Sequence, residues 1–331
     1  MCPYVNFEGG AAPRKGWFAF YDPPRYSSGY AALFQTMAFV PETHMLKPYL
    51  QRVQSTYRLM ASMIKESSKQ AKELIESKKE AEKAVLRQTE FALAWTIDSS
   101  RWDTIAFKGY EAVSKVSEVT GMPRLYYDHS KPFEKKIIYY NYYKPGNIIS
   151  APKAYIIPQG WHEVIDILKL NGVVMNRFLK DTTIETETYK IEDYKSFAKP
   201  YEKHHKNYDI VTTKKEQSIH FLKGDYIVFC NQPCKRYLVE MLEPSADDSF
   251  FSWNFFDAIL QQKEGYSDYR WEDVAADYLR LHPQIKQLLE DKKKTDTAFA
   301  ASSTAQLNFV YKNSPYYEPS HLRYPVYRVV K

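Results

Sequence analysis

Cysteine, glycine and long apolar runs are all scarce in this chain, and each scarcity closes a class of explanation. Three cysteines in 331 residues are too few, and odd in number, for a disulfide framework. Cys230 and Cys234 stand close enough in sequence to share a metal, but the Asn231-Gln232-Pro233 spacer lacks zinc-ribbon spacing and no second pair follows. Packed thiols are the plainer reading. Eleven glycines and 18 prolines exclude fibrous and low-complexity architectures. No apolar stretch approaches the ~20 residues of a membrane span. The opening Met1-Cys2-Pro3-Tyr4-Val5-Asn6 has neither the basic start nor the apolar core of a signal peptide. Phosphate loops, the dinucleotide fingerprint and the nucleophile elbow are also missing.

What remains is a globular composition, 44% hydrophobic and 26% charged. The length predicts two or three domains. Aromatic residues make up 16%, led by 28 tyrosines, which favours β-rich packing. The net charge of +6 comes from mixed-sign runs and gives no basis for a nucleic-acid partner.

Along the chain the punctuation predicts three regions. Residues 1–24 read as loop, broken by Gly9-Gly10 and Pro23-Pro24. A short helix is expected through Gly29–Gln35, and Met37–Val40 reads as a buried strand. After Pro48, Leu50, Val53, Tyr57, Met60 and Ile64 fall at three-and-four spacing, the stripe of an amphipathic helix expected to run to about Arg87. From residue 91 to 232, short β-prone segments separated by turn residues predict a sandwich-like module. Phe91–Thr96, Ile137–Tyr143, Ala154–Ile157 and Tyr208–Thr213 are examples, and one helix at Trp161–Leu170 interrupts them. From Pro233 to Lys331 the pattern is mostly helical, with Lys235–Leu242, Trp253–Leu260, Trp271–Leu281 and Ile285–Lys292 as candidates.

Few residues carry chemistry. His162-Glu163-Val164-Ile165-Asp166 comes within one residue of a helical zinc signature, but its fifth position is Asp and no third ligand can be identified. His204-His205 reads as surface loop, and Asp247-Asp248 as a helix cap rather than a cation loop. The tyrosines at 139–143 could stack sugars or bases, although core and interface packing is the plainer reading in strands this aromatic. Glu42 differs through its neighbours. The apolar run before it predicts a carboxylate at the end of a buried strand, where a raised pKa suits a general base. Helix capping and ion pairing are the competing roles.

Pro24-Arg25-Tyr26-Ser27-Ser28-Gly29-Tyr30-Ala31-Ala32-Leu33, followed by Pro41-Glu42-Thr43-His44-Met45-Leu46-Lys47-Pro48-Tyr49, resembles the end of the catalytic domain of bacterial zinc metallocarboxypeptidases of the carboxypeptidase A-like family. Tyr237–Pro244 and Ser252–Tyr266 resemble the C-terminal extension of a large multi-domain subgroup. The resemblance implies an α+β multi-domain chain. Residues 1–90 would be the remnant of an α/β carboxypeptidase domain (short helix, strand, long helix), 91–232 a β-rich accessory module and 233–331 a helical C-terminal region.

It further implies peptide-bond hydrolysis at Zn2+ held by a His-x-x-Glu pair and a later His, with Glu42 as general base. Tyr21, Arg25 and Tyr30 become candidates for holding a peptide or protein substrate. None of the eight histidines begins a His-x-x-Glu, so the ligand-bearing part is expected upstream of residue 1, as in a truncated frame or split product. The chain alone is then expected to bind no zinc and to be inactive. A partner chain could cover residues 1–90. Relatives of this kind are secreted or periplasmic. The rival expectation is a non-catalytic module that binds protein or glycan.

Overall fold

The computed structural model describes residues 3–4, 16–262 and 264–330. It is a mixed α+β structure that divides into two compact units. The first comprises Met1–Lys153, Gly172–Val174 and Phe229–Ser252, and the second Ala154–Asn171, Met175–Val228 and Trp253–Lys331. The Gly9-Gly10 breaker lies outside the described residues. In chain order the elements begin with β1 (Trp17–Phe18), α1 (Ser27–Ala32), α2 (Tyr49–Lys69) and α3 (Ala71–Arg87). Four strands follow: β2 (Glu90–Ile97), β3 (Asp103–Val116), β4 (Pro123–Tyr140) and β5 (Tyr143–Ser150). Next come β6 (Ala154–Ile157), α4 (His162–Leu170), β7 (Asn176–Arg177), β8 (Thr182–Ser196), β9 (Asn207–Phe221) and β10 (Tyr226–Phe229). The chain ends with α5 (Lys235–Leu242), α6 (Asp268–Leu281), α7 (Pro283–Thr295), α8 (Thr297–Ala300), α9 (Ser303–Lys312) and β11 (Tyr327–Val329).

In the first unit, β1, β4 and β3 form a three-stranded sheet and β2 pairs antiparallel with β5. The alternation of β2 turns Phe91 and Leu93 to one side, where they pack with Val239 of α5 and Ala246, flanked by Val85, Ile149 and Ala151. Lys235 on α5 closes the end of α3 by donating to the Leu86 and Gln88 carbonyls at 3.2 and 2.5 Å. A helix terminus otherwise leaves such acceptors unpaired. β3 and β4 make a far longer hairpin than the expected segments, pairing from Asp103↔Tyr139 to Val116↔Pro123. Polar residues on the exposed faces hide such a ribbon from a search for apolar alternation.

Three expectations for residues 1–90 change. Met37–Val40 joins no ladder among the described residues, and Met37, Phe39 and Val40 are exposed at 66%, 71% and 52%. A strand exists through its neighbour, and β propensity cannot supply one. The long helix breaks at Gln70 (φ −105°, ψ 15°) into α2 and α3, just after Ser67-Ser68, whose side chains compete for the backbone. Trp17-Phe18, expected as loop, pairs parallel with Tyr139-Tyr140.

The second unit holds a six-stranded sheet in the order β7-β10-β6-β11-β8-β9. Every residue of β6 is buried, as a central strand covered on both faces should be. Ile156, Phe221 and Tyr327 form its core with Phe178, Ile184 and Ile227. Lys214, Lys215 and Glu216 do not break β9: they pair with Tyr189, Thr188 and Glu187 in that order, and Lys214 meets Glu187 at 3.3 Å, a favourable cross-strand pair. The helix expected over Trp253–Leu260 reduces to a 3₁₀ turn at Asp257–Leu260, because Asn254 sits at φ +68°, outside helical space. Within the unit a helical cluster packs Trp271, Ala275, Leu289, Phe299, Val310 and Tyr311. Asp296 and Ser302 cap α8 and α9 by accepting from the Phe299 and Ala305 amides.

Candidate functional site

The segment from Tyr21 to Tyr30 is folded back on itself before it meets anything else. The Tyr26 amide donates to the Pro23 carbonyl at 3.0 Å, and α1 starts there. A Cβ on Gly29 would stand 2.3 Å from the carbonyl oxygens of both Asp22 and Pro23, so this close approach admits glycine alone. Ser28 is hydrogen-bonded to Asp22. This compact turn presents Arg25 to two carboxylates more than two hundred residues further on.

Arg25 donates to Asp248 through its backbone amide at 2.9 Å and its Nε at 3.1 Å, while Nη2 donates to Asp247 at 2.7 Å. Asp248 is buried and Asp247 half exposed. Asp247-Asp248 is therefore an arginine clamp, not the helix cap expected, because Arg25 takes the carboxylates that would otherwise seek backbone amides. On α5, Arg236 is paired with buried Glu240 and donates to the Ala92 carbonyl at 2.7 Å. Burial raises the Glu240 carboxyl above its usual range against the pull of Arg236. The Tyr21 hydroxyl is pushed up to about 12, first by burial and then by Glu240 and Asp247. Tyr30 is 44% exposed and its ring lies 5.2 Å from Phe34, which stacks on Tyr237 at 5.2 Å.

The first unit thus brings Tyr21 and Arg25 together with Arg236, Glu240, Asp247 and Asp248, four residues that sequence reasoning did not link to them. Their separation in sequence left no spacing signal. Acidic pairs and an i,i+4 Arg–Glu pair were visible, but nothing in the sequence ties them to Arg25.

Glu42 lies elsewhere in this unit. It sits on the exposed segment between α1 and α2, and among the described residues it makes no hydrogen bond or ion pair. That exposure replaces the buried strand end expected for it. The segment is held at both ends. Lys78 of α3 donates to the Phe34 carbonyl at 2.7 Å and to Thr36 at 2.9 Å, and the Thr43 and Thr56 hydroxyls share a hydrogen bond of 3.0 Å. Leu50, Val53, Tyr57, Met60 and Ile64 of α2 are all exposed, at 45% or more.

A zinc ion does not fit the residues present: among the described residues no group of three or more His, Cys, Asp or Glu side chains is placed to hold one. On α4, Val164, Ile165 and Leu168 face inward while His162, Glu163 and Asp166 face solvent. Asp166 accepts from Lys169 at 3.0 Å, so the near-signature is the polar side of an amphipathic helix. Cys230 and Cys234 are buried, and burial pushes the Cys230 thiol up to about 12, away from reactive or ligating thiolate. No helix is long and apolar enough to cross a membrane, among the described residues.

In the second unit, His204 is not plain surface loop. Its ring packs edge-on to Trp253 at 5.4 Å and stacks on Phe255 at 5.9 Å. Tyr201 and His204 exchange backbone hydrogen bonds of 2.9 Å around Glu202-Lys203, both at positive φ, a turn that asparagine and glycine normally occupy.

Comparison with known protein families, with curated proteins and with solved structures finds no match.

Proposed function

We propose that this chain is the C-terminal part of a zinc metallocarboxypeptidase, with Glu42 as its general base. In this reading residues 1–90 are the remnant of the catalytic domain, 91–232 a sandwich-like accessory module and 233–331 a helical C-terminal region. The observation that carries the reading is the unfinished face around Glu42. The residues resembling the family's catalytic glutamate segment form an exposed stretch that joins no ladder among the described residues, and α2 beside it exposes the apolar stripe Leu50, Val53, Tyr57, Met60 and Ile64. An unpaired exposed segment beside an apolar helix face of this kind asks for a covering domain. In this reading the Zn2+ ligands would come from other polypeptide. Glu42 would take a proton from the attacking water and return it to the leaving amine. Tyr21, Arg25 and Tyr30 become residues that shape the substrate side, with Arg25 held by Asp247 and Asp248.

The test compares this chain with the same chain joined to upstream polypeptide bearing a His-x-x-Glu segment, assaying bound zinc and release of C-terminal residues from peptides. The joined form should bind one zinc and hydrolyse, and Glu42→Gln should abolish turnover. Hydrolysis and stoichiometric zinc in this chain alone, or activity surviving Glu42→Gln, would overturn the reading.

A second reading, a non-catalytic module for protein or glycan, has its own observation in the second unit. Phe197 stacks on Tyr208 at 4.5 Å and Tyr201 lies 6.1 Å from Trp253, with Phe197 and Tyr201 about half exposed. Exposed aromatic faces suit sugar rings and peptide side chains. Binding of glycan or protein by a form lacking Tyr201 and Phe197 rings, as well as by the parent, would remove that support.

A further inference from the structure

The apolar stripe of α2 repeats every seven residues. Leu50, Val53, Tyr57, Met60 and Ile64 are spaced three, four, three and four apart. That is the narrow seam of a coiled coil, not the broader face of a helix laid on a globular core. The side of α2 that its own chain supports is a different one. Arg52, Thr56, Leu59 and Met63 are half-buried there, and Thr56 meets Thr43. The seam lies about a quarter-turn round the helix from them, and all five of its residues stay exposed.

The charges of α2 say what the seam fits. Arg52, Arg58, Lys65 and Lys69 outnumber Glu66, so the helix is basic, yet all five lie off the seam. Gln54, Thr56, Ala61, Met63 and Ser68, the positions flanking it, carry no charge. Flanking charges in a coiled coil select an oppositely charged partner and repel a like one. Neutral flanks let a second α2 lie along the first without cations meeting. The area is also in range. The five seam residues expose roughly 600 Å² per copy, and Leu46 and Tyr49, 83% and 75% exposed at one end, extend the patch toward the ~800 Å² per partner of a standard interface.

We propose that α2 pairs antiparallel with the α2 of a second copy of this chain, about a two-fold axis between Tyr57 and Met60. Antiparallel alignment opposes the two helix dipoles. Each Tyr57 ring then meets the adaptable thioether of the other copy's Met60, and each Val53 meets the larger Ile64. Leu50 falls opposite Ser67 at either end, where water reaches. The same patch serves both copies, so the pair closes on itself. The inference goes beyond the peptidase reading and needs neither zinc nor Glu42. Upstream polypeptide that covered α2 would compete with the second copy for one stripe.

Sedimentation equilibrium of this chain over a concentration series should show a reversible monomer–dimer equilibrium. Tyr57→Glu and Met60→Glu should each weaken it at least about tenfold, because each buries two unpaired charges per dimer. Both residues are exposed in the single chain, so neither change disturbs the monomer. Ser62→Glu, on the opposite side of α2, should alter the dimer less than about twofold. Gln54→Glu combined with Ala61→Lys, adjacent across the seam only in the antiparallel pair, should tighten it severalfold at low salt. A parent that stays monomeric, larger aggregates without a dimer, a dimer indifferent to Tyr57→Glu or equally weakened by Ser62→Glu, or no tightening by the charge pair would overturn the proposal. An inactive joined form would retire the peptidase reading and leave the dimer standing. A monomeric parent beside an active joined form would do the reverse.

Discussion

Arg25 holds Asp248 twice, through its backbone amide at 2.9 Å and its Nε at 3.1 Å, across 223 residues of chain. The same guanidinium reaches Asp247 at 2.7 Å. The two carboxylates differ in burial, 3% against 47% side-chain exposure, and that difference sets their weight. A buried partner lost leaves an uncompensated charge, whereas an exposed one is replaced by water.

Asp248→Asn should therefore destabilise the first unit by roughly 3 kcal/mol, and Asp247→Asn by less than about 1 kcal/mol. Urea denaturation of both variants beside the parent checks the ratio. Equal losses would mean that Arg25 does not discriminate between them.

Gly29→Ala should cost about 1–3 kcal/mol, because the added Cβ meets backbone oxygens of Asp22 and Pro23 at 2.3 Å and backbone cannot swing aside. The displaced turn should also loosen Arg25. Thermal melts of Gly29→Ala and of Gly121→Ala, whose Cβ would meet open space but whose φ is +70°, separate collision from left-handed strain.

The pH dependence follows from Glu240. Burial raises its folded pKa above the ordinary value of 4.5, so the folded chain keeps a proton that the unfolded chain has lost. Its contribution is whole below pH 4.5 and declines as pH climbs through the folded pKa. Glu240→Gln, neutral throughout, should flatten that decline in a series of denaturation midpoints against pH. Parallel curves for parent and variant would remove Glu240 as the source.

α2 and α3 bury no residue, so their amides should exchange with solvent much faster than those of β6 or α4. Replacing Leu50, Tyr57 and Ile64 by Gln should change the stability of this chain by no more than about 0.5 kcal/mol per site and reduce its self-association. Slow exchange in α2 of the monomer would show that the stripe is already covered.

The elements read best from sequence were those whose pattern is local. β6 is a short apolar run ended by Pro158. α4 and α5 repeat apolar residues at helical spacing, and α2 displays its stripe in five residues. Met37–Val40 departs from the buried strand its composition predicts for a different reason: a β-prone run stays unpaired unless another strand lies alongside. Similarly, Trp253–Leu260 has helical composition, but one left-handed residue, Asn254, prevents the helix.

By itself the sequence determined the amphipathic stripe of α2 and the lack of a His-x-x-Glu, since periodicity and motif spacing are properties of neighbours in the chain. Tertiary structure alone decided that Asp247 and Asp248 hold Arg25, that Glu240 is buried beside Arg236, and that Phe34 stacks on Tyr237. Those relationships join residues with no fixed spacing, and they exist because chain reversal and burial bring distant charges and rings within a few ångströms.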